Sequence, residues 1–183
     1  MGGRPLISFY SFALILSVSL FGASTEVAAQ QQWREVRPPG AGFRIEFPEE
    51  PKTEWKDLPS GSGTVPALIS LLSRQDGLDF MSIYSEFPAG TFSANPQVEL
   101  DTLRNNSVSD VRGVLRSEAK LTVGGAPARR LVINFYDGKS IATILFILNG
   151  TRLYQAICIA PQGKENGADV SRFIGSLTLV PMR

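Results

Sequence analysis

The chain holds one cysteine and no histidine in 183 residues. Cys158 lies in "FILNGTRLYQAICIAP", residues 146–161. A reactive thiol needs a base, a cation or a helix N-terminus to lower its pKa, together with access to solvent. A two-residue turn at Asn149-Gly150 sets Leu145 opposite Tyr154 and Thr143 opposite Ala156, and places Cys158 opposite Ile141, in mid-strand. Ala156 and Ala160 stand two residues away and Asn134 is the nearest polar neighbour. None of these acts as a base, so the sulfur reads as a small buried hydrophobe.

"SEAK", Ser117 to Lys120, matches the S-x-x-K of serine β-lactamases, which needs a helix to bring the lysine under the hydroxyl. Here it precedes a Gly124-Gly125 turn, where residues three apart on a strand face opposite ways. "PSGSGT", 59–64, lacks the lysine and following helix of a phosphate loop and reads as a turn. The acidic pairs Glu49-Glu50, Asp76 with Asp79, and Glu165 with Asp169 do not form a calcium loop. Arg129-Arg130 alternates across a strand and makes no single basic patch; Arg130 is expected to close over Leu145 and Tyr154 or to pair with a carboxylate. Asn105 and Asn149 begin N-x-S/T triplets. Without histidine, His-dependent triads, His-ligated zinc and the usual proton shuttle are removed. Neither a catalytic residue nor a cofactor or metal set is legible, and the chain reads as a non-enzyme.

"SEFPAGTFSANP", 85–96, carries Phe87 and Phe92 around a Pro-Ala-Gly turn. Aromatic side chains on a connecting loop either pack under the sheet or offer a partner contact. These two are the candidate contact residues.

Residues 1–29 read as a secretory signal peptide: Arg4, then "LISFYSFALILSVSLFG", then Val27 and Ala29 before a cut ahead of Gln30. The rival reading is a retained anchor, since about 17 apolar residues nearly span a bilayer. The expected location is periplasmic or extracellular. The segment contains one basic residue, Arg4, and one acidic, Glu26, so the formal net charge of +1 is unchanged by cleavage. Such a charge gives no field for nucleic acid. Residues 30–183 form one domain, large enough to bury a core without disulfides.

What positions these residues is a series of hairpins. Asn149-Gly150, Asp137-Gly138, Asp76-Gly77 and Gly124-Gly125 are turn signals between apolar or alternating runs. Strands are expected at about 33–36, 43–47, 52–58, 65–73 and 78–86, with four more up to about 160. A helix capped by Asn95, with Pro96 first, would turn Leu100 and Leu103 inward. A second helix repeats Val170, Phe173 and Leu177, and its last residues turn extended. The Asp137-Gly138 register sets Asn134 opposite Ile141, Val132 opposite Thr143 and Arg130 opposite Leu145. Both faces of the central strands are then largely apolar, which predicts cover on both sides. The fold class is α+β: an antiparallel sheet with helices covering both faces.

"GFRIEFPEEP", "GTRLYQAICIAP" and the closing "SRFIGSLTL" stand in the order found in PsbP-like domains, and the chain resembles that group. The resemblance implies an α/β/α sandwich and a binding or assembly role. The expected function is an exported, non-catalytic domain acting on a partner in the cell envelope or outside the cell. The alternatives are a carrier of a small apolar ligand or lipid, and a hydrolase with an unfamiliar Ser/Lys or carboxylate site.

Overall fold

In a computed structural model, residues 33–60, 63–135 and 137–181 are described; the segment read as a signal peptide lies outside them. Five strands come first: β1 (Arg34–Val36), β2 (Phe43–Phe47), β3 (Lys52–Ser60), β4 (Gly63–Ser73) and β5 (Asp79–Glu86). Helix α1 (Pro96–Asp110) follows, then β6 (Val114–Val123), β7 (Ala126–Asn134), β8 (Ser140–Asn149) and β9 (Arg152–Pro161). Helix α2 (Ala168–Ser176) and the short β10 (Thr178–Leu179) close the chain. Two antiparallel sheets result: seven strands in the order β3-β4-β5-β9-β8-β7-β6, and three in the order β1-β2-β10. The edge strand β3 carries Lys52 and Lys56 on either side of Glu54, charges that discourage edge-to-edge pairing.

Turn chemistry sets the ladders, with two corrections to the sequence reading. At Gly124-Gly125 both φ angles are positive and Val123 pairs with Ala126, as a two-residue type I′ turn requires. Around residue 138 the expected register holds, with Asn134 opposite Ile141 and Arg130 opposite Leu145. The β8–β9 register, however, is displaced by two residues: Asn149 pairs with Arg152, Leu145 with Ala156 and Thr143 with Cys158. Among non-glycine residues described, only Arg112 has positive φ, so the turn uses Gly150 alone and has the glycine-first requirement of type II′. An even displacement leaves every side chain on its expected face. Asp76-Gly77 likewise belongs to a three-residue loop: Arg74 N–H donates to the Leu78 carbonyl and Gly77 N–H to that of Arg74.

Asn95 caps α1 by accepting the Gln97 N–H at 3.0 Å, and Pro96 occupies the first turn, where no N–H is needed. Leu100 is fully buried against Leu131, Ile133, Ile144 and Phe146, with Leu103 half-buried beside it. On the other side of the sheet, Val170, Phe173 and Ile174 of α2 pack with Phe80, Leu145, Tyr154 and Cys158. The small sheet shares that layer: Phe47 meets the Phe173 ring edge-on at 5.0 Å, and Phe43 meets Tyr154 at 5.6 Å.

A buried arginine ties α1 to the sheet. Arg129 is wholly buried and donates to Asp101 on α1 and to Gln97 at 2.8 Å, while Glu118 on β6 lies 2.9 Å away. Its neighbour Arg130 points to the other face and is exposed.

Candidate functional site

The two faces of the large sheet are covered unequally. Seven strands at 4.7–4.9 Å spacing span roughly 28–30 Å, and one helix is about 10–12 Å wide. The main contacts of α1 are with β7 and β8. Along one cross-strand row burial therefore declines outward: Leu131 and Ile144 are buried, Ile157 and Met81 are half-buried, and Leu71 is 44% exposed. Ile69 faces Ile83 in the row on one side, and Ile159 faces Asp79 in the row on the other. The expectation of cover on both faces is thus met only in part, because a single helix cannot reach β4 and β5. The result is an apolar strip of Ile69, Leu71, Met81, Ile83, Ile157 and Ile159, flanked on β3 by Lys52, Glu54 and Lys56. A contiguous apolar patch with a polar rim has the composition of an interaction surface.

The strip ends at the loop after β5. Phe87 donates its N–H to the Thr151 carbonyl at 2.9 Å, which anchors the loop to the β8–β9 turn. The rings of Phe87 and Phe92 lie 4.7 Å apart, half-buried against the Leu100 cluster. They also line a cavity of about 650 Å³ with Pro59, Leu153, Thr102 and Leu103. The two aromatics thus pack against the core and present part of their surface to an open hollow. The loop was legible in the sequence; the strip was not, because its exposure depends on where α1 lies.

Cys158 is fully buried, between Thr143 on β8 and Phe80 on β5 rather than beside Ile141. Burial pushes its thiol up to about 12, and the nearby Asp79 and Asp76 carboxylates add to that. The thiolate is therefore scarce at neutral pH. We expect the native protein to leave an aromatic disulfide reagent unreduced over hours, and one thiol per chain to react within seconds once urea unfolds it. Native reaction at the unfolded rate would contradict the burial.

The remaining candidates resolve into structural contacts. Ser117 pairs with Val132 and Lys120 with Arg129, on opposite faces as the strand reading requires. Arg74 binds Asp76 at 2.8 Å and Asp169 at 2.5 Å. Glu165 accepts from Arg116 at 2.8 Å and from the Gly163 N–H at 2.6 Å. Its own backbone N–H, Arg116 and Gly163 hold its carboxyl below the ordinary range. Of the Gly-rich stretch, Ser60 and Gly63 close the β3–β4 ladder; residues 61 and 62 lie outside the described set. Among the described residues no cluster of three or more His, Cys, Asp or Glu forms a metal-sized group, and no helix is long and apolar enough to cross a membrane.

These features place the chain in a fold class. The solution structure of cyanobacterial PsbP from Synechocystis superposes with a TM-score of 0.55 at 11% identity, covering 85% of this chain and 97% of that one. The fold is PsbP-like. A crystal structure of a Pseudomonas aeruginosa protein of unknown function gives a TM-score of 0.46 at 14% identity, over 82% of this chain and 98% of that one. No family model matches the chain, and no curated protein matches it in sequence.

Proposed function

We propose that this protein is an exported, non-catalytic binding domain that docks a protein partner of the cell envelope on the apolar strip beside α1. The observation that carries the reading is the half-uncovered sheet face, with Leu71 exposed and Met81 and Ile83 half-buried beside a lysine-bearing edge strand. Phe87 and Phe92 extend this surface at one end, and rigid aromatic rings are favoured contact residues. Export is supported by the layout of residues 1–29. The non-catalytic reading is supported by the absence of histidine from the sequence and by the sealed thiol of Cys158.

Leu71→Glu and Met81→Lys test the surface. Each puts a charge on the strip without emptying the core, so the melting temperature should move by no more than about 2–4 °C, the equivalent of ~1 kcal/mol. Recovery of the specific partner in a crosslinked pull-down from envelope extract should fall at least about ten-fold, since a charge buried in an apolar interface core costs several kcal/mol. Undiminished recovery with both variants would place the contact elsewhere.

A further inference from the structure

The face opposite α1 carries a second hollow with different chemistry. A groove of about 600 Å³ runs between α2 and strands β6 to β8, within the range of ~300–1,000 Å³ found for small-molecule sites. Leu121, Val123 and Val132 give it partly exposed apolar walls, over a floor of the buried Leu145, Val170 and Ile174. Its charged lining residues are Glu165 and Arg130, and they differ in state. Glu165 is buried and already neutralised by Arg116. That contact exists because the β6 ladder slips between Leu115 and Ser117, a bulge that frees Arg116 from the pairing pattern.

Arg130 is the other case. It stands on β7 between Ala119 and Leu145. Among the described residues it makes no ion pair. A guanidinium offers a planar fork of donors that fits a carboxylate with two parallel hydrogen bonds. Ser117 lines the same groove, and Lys120 lies on the opposite face of the strand.

We propose that this groove binds a single-chain aliphatic carboxylate, with its head on Arg130 and its tail along Leu121, Val123 and Val132 above the floor of Leu145 and Ile174. The site is on the opposite face from the partner-docking strip and stands or falls separately from it.

The test uses the full chain and a dansyl-labelled undecanoate as fluorescent probe, displaced by laurate or by dodecanol. Laurate should displace the probe at a concentration about ten-fold or more below dodecanol, because only the carboxylate engages the guanidinium. Arg130→Leu should abolish that preference without changing the melting temperature. Ser171→Trp, which fills the groove from α2, should block the probe, while Leu71→Glu on the opposite face should leave binding unchanged. No probe binding, equal displacement by the two competitors, a preference that survives Arg130→Leu, or sensitivity to Leu71→Glu alone would each overturn the assignment.

Discussion

Replacing Phe173 by alanine is expected to lower the melting temperature by roughly 6–20 °C. The ring is fully buried and meets Phe47 at 5.0 Å and Phe80 at 5.1 Å, both edge-on. It is therefore the joint between α2, the small sheet and the large sheet. Removing a buried phenylalanine typically costs about 3–5 kcal/mol, because the lost transfer energy is joined by the cavity left behind. For a domain of this size each kcal/mol moves the melting temperature by about 2–4 °C. Phe173→Leu, which refills most of the volume, should recover more than half of the loss. Thermal unfolding followed by circular dichroism reads both. A Phe173→Ala drop under about 2 °C would mean that α2 is held by something other than this joint.

The second large effect concerns Arg129. Deleting one partner of a buried ion pair typically costs about 3–5 kcal/mol. Here Asp101 is 45% exposed in its side chain and Glu118 21%, so water takes up part of the loss. The expected cost of Arg129→Ala is about 2–4 kcal/mol, read from urea unfolding. Arg129→Met keeps the apolar stem and should cost less. Arg129→Lys should not restore the native value, since one ammonium cannot hold Asp101, Gln97 and Glu118 in the fork geometry.

A pH signature accompanies this loss. The hydrogen bond from Arg129 holds the Asp101 carboxyl below its ordinary value of 3.8. A depressed folded pKa gives stability that is present above the unfolded value and is lost as pH falls through the folded one. The wild type should therefore lose stability below about pH 4, and Arg129→Met should lose less over that interval. Identical acid slopes in the two proteins would remove Asp101 from the account.

Much of this fold is legible in the residues themselves. Alternation and turn residues bound β2 at its observed ends, and the Gly124-Gly125 register is fixed by the need for two positive φ angles. Asn95-Pro96 marks the start of α1 by the same local logic. The displaced β8–β9 register shows where local logic stops. Asn-Gly and Gly-Thr are both acceptable turns, and the choice belongs to the ladder that lets Asn149 pair with Arg152. The faces survived because the displacement was even.

The site was far less legible. Arg129 and Arg130 are adjacent in sequence, and alternation alone separates their faces without saying which one is buried. That choice is made by Asp101 and Gln97, which come from a helix about thirty residues earlier. The open strip likewise depends on the width of a helix against the width of a sheet, a comparison that exists only in three dimensions. The groove over Arg130 needs α2 to stand off from β6 and β7, and no motif encodes that spacing.

The most direct test of the docking surface is photocrosslinking. A photoreactive side chain would be placed at Met81 or Ile83 on the strip, and at Gln75 on the exposed β4–β5 loop, before exposure to envelope extract. The account predicts one adduct of defined mass from both strip positions and none from Gln75. Equal labelling from all three positions, or no adduct from Met81 and Ile83, would contradict it.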